Sequence, residues 1–141
     1  MSEVYNKIIS KLQKLKEYQK VLKEIQKVNK REFVDDYHFY GLAERYLQLA
    51  IEVVLDISKL IINAKSFRRP ESNQEMFEIL AKEKVIDGKL RDVLFGIANF
   101  RNILVHDYEK IDRSIVYEIL QNRIDDFEKF DKAVKKYLQK M

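Results

Sequence analysis

The chain has 141 residues, of which 46% are hydrophobic and 35% charged, with 3 Gly, 1 Pro, no Cys and a formal net charge of +4. That length suits one domain, and the apolar fraction is enough to bury a core rather than leave the chain disordered. So few turn-formers exclude all-β and doubly wound folds, which need a break every few residues. The missing cysteine excludes a disulfide framework, a thiolate metal site and a cysteine nucleophile, and fits a cytoplasmic protein.

The segment MSEVYNKIISKLQKLKEYQK carries regularly spaced lysines and no apolar core. It predicts neither a signal peptide nor a membrane span. Over residues 2–30, Val4, Ile8, Leu12, Leu15, Tyr18, Leu22, Ile25 and Val28 recur at spacings of three and four, one stripe of a long amphipathic helix. Lys16, Lys20, Lys23, Lys27 and Lys30 form a second stripe. Residues 1–32 hold nine Lys/Arg against four Asp/Glu and the remaining residues 18 against 19, so the first helix is +5 and the rest −1. A phosphate-binding face and a plain solvated face both fit this stripe, and the interspersed Glu17 and Glu24 favour the solvated one.

A second helix is expected from about Asp36 to Ser66, apolar almost all round in YLQLAIEVVLDISKLII. Its polar residues Arg45, Gln48, Glu52, Asp56, Lys59 and Asn63 share one narrow face, so this helix must sit centrally against several others. The run is too short and too interrupted by charge to span a membrane. Pro70 in SFRRP breaks the pattern. Ser72 to Glu75 has capping-box spacing and starts a short third helix through Phe77 and Leu80, with Asp87 and Gly88 at its end. A fourth helix carries Leu90, Val93, Leu94, Ile97, Phe100 and Leu104 on one face. Asp112 is the expected N-cap of a fifth, with Val116, Ile119, Leu120, Ile124, Phe127, Val134 and Leu138 on its apolar side. The pattern predicts a single all-α domain over residues 1–141, an up-and-down bundle of about five helices.

With two His, no Cys and no ligand spacing of the His-Glu-x-x-His kind, no metal site or cofactor is expected. The three isolated Gly form no phosphate loop. What remains is the end of the fourth helix, Ala98 to Tyr108. Arg101 interrupts an apolar run, and a guanidinium held there needs an anion, because burying it unpaired costs several kcal/mol, roughly. Either a structural carboxylate or a ligand phosphate would serve. Arg101 and His106 together are the groups that a metal-free phosphodiester cleavage needs, a fixed cation for charge developing on phosphorus and an imidazole titrating near neutrality. Five residues along a helix amount to a rotation of about 140° beyond one full turn. The pair therefore converges only if the helix ends near Val105 or if two copies meet and share a site.

The run R-N-I-L-V-H-D-Y, from Arg101 to Tyr108, resembles the R-x-x-x-x-H-x-Y motif of HepT-like proteins, a branch of the HEPN superfamily. The surroundings are similar too: Phe33 and Asp36, RYLQLAIEVVLDISKLII, FEILAKEKVI, FRNILVHDYEKID and a closing apolar helix, together spanning roughly residues 30–138. The resemblance implies a homodimeric helical bundle whose subunits line an interface cleft with Arg and His. It implies the toxin of a type VII toxin–antitoxin pair, a metal-independent RNase silenced when a nucleotidyltransferase antitoxin of the MntA type transfers AMP to the motif tyrosine. By position, Arg101 then binds the scissile phosphate, His106 is general acid or base, Asn102 orients the site and Tyr108 is the modified residue. An added AMP brings negative charge and bulk into an anion site, so it competes with RNA. Two other readings stand beside this one: a non-catalytic dimer that binds nucleotides or RNA or docks a nucleotidyltransferase, and an Arg–His pair that only packs an interface. His38 has no motif role and reads as a surface or packing residue.

Overall fold

The computed structural model describes residues 2–106 and 112–141, with the backbone alone at Ser2, Val105 and His106. Seven helices occur among the described residues. The first, α1 (Ser2–Gln26), buries Ile8, Leu12, Leu15, Leu22 and Ile25 and leaves Lys16, Lys20 and Lys23 exposed; Lys27 and Lys30, exposed too, lie beyond its end. It stops short of the expected end because Asn29 caps a new helix, its side chain accepting from Glu32 N at 2.9 Å. This short α2 (Lys30–Asp35), which periodicity alone does not separate, buries Phe33.

Asp36 caps α3 (Tyr37–Ala64) by accepting from His38 N at 2.9 Å, and the His38 ring lies 2.8 Å from the same carboxylate oxygen. These contacts, the backbone bond foremost, hold the Asp36 carboxyl below its usual range. His38 itself is exposed, as expected. The breadth of apolar surface on α3 has the predicted consequence, for α3 packs against each of the other six described helices. The aromatic pairs Tyr18–Tyr46 and Phe33–Tyr117 lock α1 to α3 and α2 to α6 (Arg113–Asn122).

The next helix is α4 (Asn73–Lys82), capped by Ser72, whose hydroxyl accepts from Glu75 N at 3.1 Å. Only half of the expected box forms, because the Glu75 carboxylate pairs with Arg68 instead and ties down the Pro70 loop. Asp87 and Gly88 do not end this helix. Asp87 accepts from Leu90 N at 2.7 Å and so caps the following one, α5 (Gly88–His106).

Both α3 and α4 end in Schellman motifs, with Phe67 N donating to Ile62 O and Val85 N to Leu80 O. The left-handed residues are Ser66 (φ 54°) and Lys84 (φ 62°), positions where a side chain is strained and glycine is usual. Ser66→Gly is therefore expected to stabilise the fold by about 1 kcal/mol and raise the melting midpoint by about 3–5 °C, while Ser66→Ala gives no gain. A calorimetric scan of the three proteins checks this.

Asp112 caps α6 as expected, accepting from Ser114 N at 2.8 Å. The expected long fifth helix is in fact two, α6 and α7 (Ile124–Leu138), broken at Arg123 (φ −120°, ψ −3°). Tertiary hydrogen bonds mark the break: Gln121 Nε2 donates to Gln26 O at 2.9 Å and Gln26 Nε2 to Leu120 O at 3.1 Å. They pin the end of α6 to the end of α1. The bend lets α7 return along α1 and α5, where Phe127, Phe130 and Val134 are buried. No helix among the described residues is long and apolar enough to cross a membrane.

Candidate active site

On α5, Leu90, Leu94 and Ile97 are buried one turn after another, and Arg101 continues their stripe. It meets a carboxylate. Arg101 Nη2 donates to Glu52 Oε1 of α3 at 3.1 Å, and Gln48 Nε2, one turn earlier on α3, donates to the same oxygen at 3.2 Å. The two charged side chains are 28% and 33% exposed, so the pair sits at the rim of the core rather than inside it. Arg101 Nε is buried with no hydrogen-bond partner among the described residues. A guanidinium carries five N–H donors in a rigid fork, and Glu52 engages one of them. The result is a cation held in place by a carboxylate yet still able to take a phosphate oxygen on its remaining edge.

The sequence allowed a carboxylate or a phosphate as the partner of Arg101, and the fold supplies the carboxylate. Glu52 was legible only as one residue of the polar face of α3. The signal that singles it out is its place in the most apolar part of the chain, between Ile51 and Val53, which are both buried. Two turns before it, Glu44 is half-buried, and burial pushes its carboxyl up against the opposing charge of Arg113.

Asn102 is exposed beside Arg101, and Ile103, next to it, is 42% exposed. The backbone of α5 is helical through His106. The positions of Arg101 and His106 therefore lie about 140° apart around its axis. The side chain of His106 and the whole of Tyr108 lie outside the described residues, so their assigned roles stand as expectations.

A family model described as Ribonuclease HepT-like matches residues 8–134. The mRNA nuclease HepT of Shewanella oneidensis is 31% identical over 130 residues, covering 91% of this chain and 96% of that one. The tRNA nuclease HepT of Aphanizomenon flos-aquae is 23% identical over 131 residues, covering 93% of this chain and 89% of that one. Among solved structures, the tri-AMPylated Shewanella oneidensis HEPN toxin in complex with MNT antitoxin matches with a TM-score of 0.84 and 29% identity, over 92% of this chain and 96% of that one.

Proposed function

The chain belongs to the Ribonuclease HepT-like family, and from that premise we propose that it is the toxin of a toxin–antitoxin pair, an endoribonuclease that cuts RNA without a metal ion. The observation that carries this reading is Arg101, a half-buried cation fixed by Glu52 with donors left for a phosphate, at the first position of the R-x-x-x-x-H-x-Y run. Arg101 stabilises the charge that develops on phosphorus. His106 moves the proton, taking it from the attacking 2′-hydroxyl or giving it to the leaving 5′-oxygen. The bond from the 2′-oxygen to phosphorus forms as the bond to the 5′-oxygen breaks, leaving a 2′,3′-cyclic phosphate and a 5′-hydroxyl. Asn102, exposed next to Arg101, orients the phosphate. The two relatives bear the names of an mRNA nuclease and a tRNA nuclease, so the RNA class is a property of each member and not of the shared fold.

The separation of Arg101 and His106 around α5 supports a homodimer whose site takes Arg from one subunit and His from the other, with exposed Ile103 near the contact. The neighbouring toxin is AMPylated and bound to its MNT antitoxin. For this chain the corresponding partner is a nucleotidyltransferase of the MntA kind, and the acceptor is Tyr108. The test is RNA cleavage by the purified protein in EDTA, before and after incubation with that nucleotidyltransferase and ATP. Cleavage that stops as mass spectrometry finds AMP on Tyr108 is the expected result. No cleavage of RNA by the unmodified protein, or full silencing of Tyr108→Phe, rejects the reading.

A further inference from the structure

A groove of about 690 Å³ runs between the loop after α4, the start of α5 and the outer face of α7. Its floor is apolar, built from Val85, Ile86, Leu90 and Val93, with Tyr137 on one side. Six lysines line it against two acidic residues, Asp87 and Asp126, and four of the six, Lys84, Lys89, Lys136 and Lys140, enter no ion pair among the described residues. The groove is thus cationic at its edges and apolar in its depth.

A second observation points to what fills it. Asp126 lines the groove yet is 5% exposed, and its Oδ2 has no hydrogen-bond partner among the described residues. The nearest cations stand beyond hydrogen-bond range, Lys129 at 3.8 Å and Arg123 at 3.9 Å. Burial pushes this carboxyl up, with Lys129 and Arg123 opposing the rise. A buried carboxylate short of donors at the groove calls for a ligand that brings N–H groups, and the lysines along the groove call for anions. A flat ring with N–H donors on one edge and phosphate on the other side meets both demands. An acidic peptide meets the second but presents no flat face to the floor.

We propose that this groove seats a nucleotide of single-stranded RNA, its phosphates on the lysine rim, its base on the apolar floor and its donor edge toward Asp126. Guanine, with adjacent N1–H and N2–H donors, suits a carboxylate best. The proposal rests on the ribonuclease reading, and it supplies a recognition site apart from the cut. Leu90 in the groove and Arg101 share one face of α5 and lie eleven residues apart, about 16 Å along the helix. A strand a few nucleotides long covers that distance, so the base in the groove sets which bond reaches Arg101.

The test is binding of a labelled single-stranded RNA with one guanine, followed by fluorescence anisotropy, with cleavage of the same RNA by the wild-type protein scored separately. Lys89→Glu with Lys136→Glu, one on each side of the groove, is expected to weaken binding about tenfold and to flatten the slope of log K against log salt by about 1.4. Asp126→Asn is expected to erase the preference for this RNA over its adenine-substituted form. Unchanged affinity and slope in the lysine double variant overturn the proposal. So does retained RNA affinity with loss of the nucleotidyltransferase complex, which assigns the groove to a protein partner. If the wild type binds RNA through the groove but cuts none, the ribonuclease reading fails while the groove stands.

Discussion

His106→Ala is expected to lower RNA cleavage by about 10²–10⁴-fold, the usual contribution of a positioned proton-transfer group. Alanine suits the helical backbone of α5 at this position, so helix content and melting temperature should stay close to wild type. Circular dichroism alongside a gel-based cleavage assay measures both. Equal activity in wild type and His106→Ala shows that the imidazole does no chemistry, and the non-catalytic dimer then replaces the ribonuclease. The proposed sharing of the site between subunits adds a sharper form of the test. Mixing inactive His106→Ala with inactive Arg101→Ala should restore part of the activity, because one composite site of the mixed dimer keeps both residues. A site contained within one subunit gives no recovery.

Arg101→Ala is expected to cost about 10²–10³-fold in kcat, the range for removing one fixed donor from a site of developing negative charge. It should also lower stability by about 1 kcal/mol, because Glu52 loses its partner at the core rim. Glu52→Gln separates these effects. It keeps the size and hydrogen-bonding reach of the side chain but removes the charge that holds the guanidinium, so kcat should fall while RNA binding is kept or tightened. Comparing kcat with KM for the two variants decides between them. If Arg101→Ala loses stability but cleaves at the wild-type rate, the pair is packing alone.

How far the fold was legible depended on how local each determinant was. The periodicity of α1, α3 and α5 and the caps Ser72 and Asp112 are short-range features, and the helices they predict are present. Three boundaries differ from the local pattern, the first at Asn29, which caps α2 where the stripe of the first helix still runs. Asp87 faces forward to Leu90 N rather than back, and an acidic residue beside Gly can end one helix or begin the next until the chain's direction is known. The continuous apolar stripe from Val116 to Leu138 hid the break at Arg123, which is marked by hydrogen bonds between residues 94 and 95 positions apart.

Charge shows the same division. Counted along the chain, the last helix has as many acids as lysines, four of each, and only the first segment stands out. Folding turns Asp126 and Asp131 inward and leaves the lysines on the surface, so a cationic groove emerges that no local tally contains.

Periodicity, capping and motif spacing act within a few residues, so the helical class, the centrality of α3 and the Arg101-to-Tyr108 run that carries the family resemblance are readable from the chain alone. The pairing of Arg101 with Glu52, 49 positions away, and the meeting of Lys84 and Lys89 with the lysines of the last helix along one groove come from tertiary packing alone. Both depend on which helix faces meet, and that is settled by burial of the whole apolar surface at once, which no window of the chain records.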